Sequence, residues 1–519
     1  MEAIQFLGDG FAVALQPQNL LIALIGCFVG TLIGALPGLG PVATIAMLLP
    51  IAFTLDPASA LILLGAIYYG SMYGGTITAV LLDIPGEVSS VMTAVDGFEM
   101  AKQGRAGVAL GIAAAGSFVA GTVSVVFLTL LGPSLSMLGL KFGPPEYFAL
   151  AVLGLTMVSG LVGREPVKGY LMMVLGLALT TVGSDPISAV SRLTFGELTL
   201  MDGIQFLPVA IGLFGVAEVL EQIERPLTGD IRAFASVKLR SLFPSRSEWK
   251  QSFGPIVRGT GLGFFAGLLP GAGASVGSFV AYGVEQKISK HPETFGKGEL
   301  KGLASAEAAN NGSTGGSLLP MLTLGIPGSA TTAVLMFALI TMGLSPGPQL
   351  FVNSPEVVWP FIASMYVGNV MLVLMNTGFI PFFVWLVRLG SKLLVPIIIA
   401  LCIVGVYASS FRMFDVWVML VFGVLGFVLR KRGYPAVPLI LGIVLGPLVE
   451  QSLRQSLVIS QGSMSVLFSS GISTVLICLA AVIVLLPVVG RFRRGARRRR
   501  SGAPGIPDAD HSAQGDDRS

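Results

Sequence analysis

The chain has 519 residues, 53% hydrophobic and only 12% charged, with a mean hydropathy of +0.82 and a formal net charge of +4. Soluble domains carry about 25% charged residues, so these values exclude an ordinary water-soluble enzyme, a nucleic-acid-binding protein and a disordered scaffold. At ~20 residues per span plus connections, the length allows roughly ten to thirteen bilayer crossings.

In chain order, apolar segments fall near 19–53, 59–86, 106–132, 146–163, 167–184, 204–220, 255–284, 303–328, 330–343, 355–387, 393–409, 413–429, 434–449 and 471–490. The first eighteen residues hold no Lys or Arg, so the basic start of a signal peptide is missing and the N-terminus is expected to be retained. Cys27, Cys402 and Cys478 sit in apolar runs without metal or redox spacing and read as small core residues. His291, in a polar loop, and His511, in the tail, are the only histidines, which argues against a His-based metal site.

Positive charges sort to one side when 19–53 and 255–284 are each taken as a hairpin that enters and leaves on the same face. Lys102 and Arg105, Arg164 and Lys168, the basic stretch Arg225 to Arg258, Lys287 to Lys301, Arg388 and Lys392, Arg430 to Arg432 and the arginines from Arg491 to Arg500 then all lie inside. The expected architecture is an all-α polytopic membrane protein of roughly eleven spans plus two hairpins. Residues 1–220 form a first membrane repeat, 221–254 a cytoplasmic basic linker, 255–490 a second repeat with the C-terminal spans, and 491–519 a basic and then disordered cytoplasmic tail. The N-terminus falls outside.

Glycine, at 67 residues, is nearly twice as frequent as usual, and part of the excess is an internal repeat. Gly26, Gly30, Gly34 and Gly38, followed by Gly40 in GTLIGALPGLGP, recur 233 residues later as Gly259, Gly263, Gly267 and Gly271, followed by Gly273 in GFFAGLLPGAGA. A second pair, GSMYGGTITAVLLDIPG (Gly70 to Gly86) and GSTGGSLLPMLTLGIPG (Gly312 to Gly328), recurs at 242. The spaced glycines suit close helix packing, whereas Pro-Gly-x-Gly breaks the helical ladder. Broken backbone at membrane depth is tolerated only where protein or a cavity covers it. The charge map gives the two repeats opposite orientation, and inverted repeats with interrupted helices are the mark of a secondary transporter with a midplane site.

Polar residues crowd the breaks: Tyr68, Tyr69, Ser71, Tyr73, Thr76, Thr78 and Asp83 in the first, Glu307, Asn310, Asn311, Ser313, Thr314, Ser317 and Thr323 in the second. From the breaks, the expected substrate-binding set is Pro37, Gly38, Gly40, Ser71, Gly74, Thr76, Gly271, Gly273, Asn310, Asn311, Ser313, Thr314 and Ser317. Helix N-termini and neutral donors there suit a carboxylate. Asp83 and Glu307 are the ion-coupling candidates, for Na⁺ or H⁺, because an ionisable residue inside a span points to function; a helix-end position for Asp83 and a cytoplasmic first turn for Glu307 are the plainer readings. The tyrosines equally suit an interfacial belt, and Glu87, Asp96 and Glu99, near Lys102 and Arg105, read as a solvated face.

The strings GALPGLGP, YYGSMYGGTITAVLLDIPGE, VDGFEMAKQGRAGVALGIAAAGSF and AEAANNGSTGGSLLPMLTLGIPGSATTAVL resemble the signature blocks of the TctA family, the large membrane subunit of tripartite tricarboxylate transporters, from about residue 15 to about 440. The resemblance implies a bacterial inner-membrane permease, not an enzyme, working with a small four-span subunit (TctB-like) and a periplasmic solute-binding protein (TctC-like), driven by an ion gradient. It carries over Pro37, Gly38, Gly40, Gly70, Ser71, Gly74, Gly75, Pro85, Gly86, Asn310, Asn311, Gly312, Gly315, Gly316, Pro327 and Gly328 as motif positions. A passive anion channel is the alternative, and an intramembrane enzyme lacks a visible His-containing or Ser-Lys constellation.

Overall fold

The computed structural model describes residues 2–36, 40–161, 166–185, 187–224, 239–271, 273–380, 382–383 and 391–500. Its helices are α1 (Glu2–Ala14), α2 (Pro17–Gly34), α3 (Gly40–Ala52), α4 (Pro57–Leu82), α5 (Val91–Lys102), α6 (Ala106–Gly139), α7 (Pro144–Leu161), α8 (Pro166–Leu179), α9 (Phe206–Ala210), α10 (Ala217–Glu224), α11 (Arg246–Leu268), α12 (Gly273–Ile288), α13 (Leu300–Leu324), α14 (Ala330–Thr341), α15 (Pro348–Asn353), α16 (Pro355–Gly378), α17 (Ser391–Ser410), α18 (Met413–Lys431), α19 (Val437–Ile459) and α20 (Gly471–Arg500). A π-helical stretch, Ile211–Val216, joins α9 to α10. One two-stranded ribbon pairs Gly183–Ser184 with Ser191–Arg192.

The all-α class follows from the apolar runs. Among the described residues, seven helices are long and apolar enough to cross a bilayer: α2, α4, α6, Phe206–Glu224, α16, α18 and α19. The expected eleven spans are not met by long apolar helices alone: α8 and α14 are apolar but short, and α13 is long but rich in polar residues. The two expected hairpins, 19–53 and 255–284, are divided into α2 with α3 and α11 with α12. Three of the described helices lie outside the apolar segments: α1, the short α15, and α5, whose Asp96, Glu99 and Lys102 interrupt its apolarity. Of the three cysteines, Cys27 and Cys402 are buried as expected, while Cys478 is exposed.

Two helices form the centre. Helix α4 is apolar all round and sheathed along nearly its whole length, and α13 is enclosed in the same way; such helices are interior ones. Asp56 caps α4 by accepting from Ser59 N at 3.1 Å, with Pro57 at the first turn. Ser245 and Glu248 form a capping box at the start of α11. Tyr68, Tyr69 and Tyr73 are buried in this core and are not a belt at the membrane surface.

The glycine ladders fix how each central helix meets its neighbour. A Cβ on Gly70 of α4 would stand 2.8 Å from Cys27 O of α2, and one on Gly312 of α13 would stand 2.8 Å from Thr260 O of α11. Gly30 of α2 faces Ile67 of α4, and Gly263 of α11 faces Ala309 of α13. Residues 67 and 309 are themselves 242 apart, so equivalent positions of the two repeats meet equivalent partners. Only glycine permits backbones this close.

Candidate functional site

The helix breaks return onto these ladders. In the first half, Gly86 presses on Gly34 O and on Gly75; in the second, Gly328 lies where a Cβ would be 2.6 Å from Gly267 O and 2.8 Å from Ser317 Cα. Both central helices end in a left-handed residue, Asp83 (φ 57°) and Gly325 (φ 70°), again 242 apart. Gly40 (φ 41°) and Gly273 (φ 50°), the first residues of α3 and α12, share the same unusual backbone, which glycine adopts without a Cβ penalty. Gly271 N donates to Gly328 O at 3.0 Å and ties the two breaks of the second half together.

The two central helices run antiparallel. Tyr68 pairs with Ser317 at 3.0 Å, and eight residues further along α4 Thr76 donates to Glu307 at 2.7 Å, ten residues back along α13. Ser71 and Ser313, equivalent in the two repeats, lie midway along these paired stretches, and each donates to the carbonyl three residues back, at 2.8 and 2.7 Å. Tyr68 of the first half thus reaches the second break. Asn310 of the second half faces Glu87 at the first, although neither atom of its buried amide completes a hydrogen bond.

Glu307 is the polar centre. Fully buried on α13, it accepts from Thr76 Oγ1 (2.7 Å), Ser117 Oγ (2.9 Å) and Asn311 Nδ2 (3.0 Å) on Oε1, and from Thr93 Oγ1 (2.8 Å) on Oε2. Asn311 Nδ2 also donates to Ser117 Oγ at 2.7 Å. Four elements, α4, α5, α6 and α13, therefore converge on one carboxylate through neutral donors. Beyond the Thr76 and Ser117 hydroxyls lies a cavity of about 10 Å³, lined by Tyr73, Thr76, Ile77, Leu110, Ala114, Ser117 and Asn376 but not by Glu307 itself; that is room for about one water-sized body. A carboxylate substrate does not fit there.

The structure sorts the expected residues. Ser71, Gly74, Thr76, Asn310, Asn311, Ser313, Thr314 and Ser317 lie on the facing stretches of α4 and α13, all buried, while Gly40, Gly271 and Gly273 lie in the breaks. Pro37 and Gly38 lie outside the described residues. Asp83 does not join them: it is exposed and caps α4. Nor is Glu307 in a cytoplasmic first turn. Asp96 is not solvated either; it is fully buried and accepts from the backbone N–H of Gly296 (2.8 Å), Gly298 (2.9 Å) and Glu299 (2.8 Å) and from Tyr282 OH (2.9 Å). Glu87 is half-buried and held by the Ser89 hydroxyl.

Sequence reasoning missed Thr93, Ser117 and Asn376, which lie on α5, α6 and α16, away from the helix breaks in sequence. For Asp83 a signal did exist, since its repeat equivalent, Gly325, has no side chain to work with.

Comparison with known proteins agrees with this architecture. A family model described as Tripartite tricarboxylate transporter TctA family matches residues 20–441. A protein of Agrobacterium vitis, described as an uncharacterized 52.8 kDa protein in the TAR-I ttuC′ 3′ region, is 43% identical over 492 residues, 94% of this chain and 97% of the relative. A second protein of that organism, described as an uncharacterized protein in the TAR-II ttuC′ 3′ region, is 38% identical over 231 residues, 44% of this chain and 96% of the relative. No solved structure matches.

Proposed function

Because the chain belongs to the TctA family of tripartite tricarboxylate transporters, we propose that it is the permease subunit of a binding-protein-dependent secondary transporter that imports a tricarboxylate or related carboxylate. A Na⁺ or H⁺ gradient drives it. The observation that carries this reading is the pair of matching helix breaks on two antiparallel, fully buried helices, with hydroxyl and amide groups between them.

The chemistry suits an anion without fixed cations. Helices α3, α12 and α14 begin at the breaks, and their first N–H groups and positive dipole ends attract carboxylates. Ser329 caps α14 through a capping box with Thr332, leaving further N–H groups of that first turn for a ligand. Tyr68, Asn310 and Ser317 add neutral donors. Weak, neutral coordination also favours release, which a carrier needs as much as capture.

In this reading the two halves have opposite orientation, with the N-terminus outside and the C-terminus in the cytoplasm of a bacterial inner membrane. The partners are a small four-span membrane subunit and a periplasmic binding protein that delivers the substrate. The test is counterflow: the purified permease with its small subunit and loaded binding protein, reconstituted in vesicles holding unlabelled tricarboxylate, is expected to accumulate labelled tricarboxylate transiently above equilibrium. Simple equilibration without overshoot would reject a carrier in favour of a channel.

A further inference from the structure

We propose that the Glu307 cluster is a binding site for one Na⁺ ion, with Glu307 supplying the charge and Thr76 Oγ1, Ser117 Oγ and Asn376 Oδ1 supplying neutral oxygen ligands. The inference deepens the transport reading by locating a coupling ion, and it rests on that reading only for the ion's role, not for its binding.

The first argument is charge. All four groups that donate to the Glu307 carboxylate are neutral, and the residue is 0% exposed. An ionised carboxylate buried without a counter-charge is strongly unfavourable even when hydrogen-bonded. A monovalent cation brings the Glu307 carboxylate and its neutral donors to neutrality.

The second argument is the cavity and what faces it. Asn376 Nδ2 donates to Leu372 O at 3.0 Å, which fixes the amide orientation and leaves Oδ1 as the free atom. That Oδ1 has no hydrogen-bond partner, nor has Tyr73 OH. Both side chains line the cavity, and both residues are at least nine-tenths buried, at 5% and 2% exposed. Thr76 and Ser117 line it too, and while each donates its proton to Glu307, its oxygen keeps lone pairs for a cation. Carboxylate, hydroxyl and amide oxygens are the ligand set of hard cations. A proton on Glu307 neutralises the carboxylate but supplies no partner for Asn376 Oδ1, which then needs a separate water in the cavity; one Na⁺ meets both needs.

The third argument is position. Thr76 and Glu307 lie on the two helices that carry the breaks, and Asn311 Nδ2 touches Glu307 and Ser117 at once. Asn311 stands next to Asn310, whose amide faces the first break. Filling the cation site fixes α4 against α6, α13 and α16, and so fixes the polar face that meets the substrate.

The experiment is thermal unfolding of the purified full chain in detergent, at constant ionic strength, with NaCl exchanged against KCl or choline chloride, at several pH values. A ligand that binds only the folded state raises Tm in a saturable way. NaCl is expected to raise Tm by a few degrees, choline not at all. The shift is expected to vanish in Glu307→Gln, to need at least ten-fold more Na⁺ in Asn376→Leu, and to persist in His291→Ala, in an exposed loop. A shift that follows pH but not Na⁺, or one that survives intact in both site variants, overturns the proposal. Should Glu307→Gln fail to fold, Asn376→Leu decides alone. Counterflow reads the transport proposal separately: its absence with an intact Na⁺ shift removes the carrier and leaves the site, and the converse removes the site.

Discussion

Gly267→Ala in α11 places a methyl group 2.5 Å from Ser313 O, 2.9 Å from Ser317 N and 3.0 Å from the Gly316 carbonyl carbon. All three are backbone atoms of α13, so no rotamer change relieves the clash. Ordinary contact begins near 3.4 Å, so α11 must retreat by roughly 0.9 Å beside the second break, an overpacking that costs about 1–3 kcal/mol. Gly261→Ala is the matched control on the same helix, because nothing lies within 4 Å of its Cβ position. There the substitution removes backbone freedom from the unfolded chain and is expected to stabilise by about 0.5–1 kcal/mol. The two variants should therefore separate by roughly 1.5–4 kcal/mol with opposite signs, taking both effects together. Equilibrium unfolding in detergent, read by intrinsic fluorescence, measures the separation. Equal effects, or a larger loss in Gly261→Ala, would refute the claim that the glycine ladder exists for backbone contact.

Asn311→Ala removes the amide that spans Glu307 and Ser117; insertion is expected to persist, while counterflow falls at least ten-fold, and normal counterflow would move the site elsewhere. Asp96→Asn keeps an oxygen for the N–H groups of Gly296, Gly298 and Glu299 but removes the charge they share; with hydrogen bonds to a charged group worth about 1.5–3 kcal/mol and neutral ones about 0.5–1.5, it should destabilise by about 1–2 kcal/mol, and an unchanged unfolding midpoint would contradict the clasp. Asp185 is held below the usual aspartate range first by the hydrogen bond from Arg454 and then by the N–H groups of Ser188 and Ile187. Its folded-state value is depressed, so its stabilisation is present above the unfolded aspartate value near 4 and is lost as pH falls below it toward the lower folded value. The Tm gap between the wild type and Asp185→Asn should therefore hold at neutral pH and shrink below about pH 4; a gap independent of acid would reject the assignment.

The helix class, the breaks and the interlocking ladders were legible because each rests on a repeated local pattern. Gly30 and Gly263, or Gly86 and Gly328, reveal themselves by their spacing alone. Glu307 was legible as a charge in a span, but its partners Thr93 and Ser117, and Asn376 across the neighbouring cavity, were not, since they sit on three helices whose approach no local pattern records. Asp96 was misread for the same reason: its nearest charges in sequence are Glu99 and Lys102, while its true partners are the N–H groups of residues 296, 298 and 299. The offset between the repeats grows from 233 to 242 between the two motif pairs, which marks extra length in the second half, and residues 296, 298 and 299 of the loop there supply that cradle.

The most direct test of the central claim is tricarboxylate uptake by the purified three-component system in proteoliposomes containing no ATP. An inward Na⁺ gradient is expected to drive accumulation above the external concentration in the wild type, and Glu307→Gln is expected to abolish that dependence. Uptake that requires ATP, or that proceeds at the same rate under every ion gradient, would contradict the account.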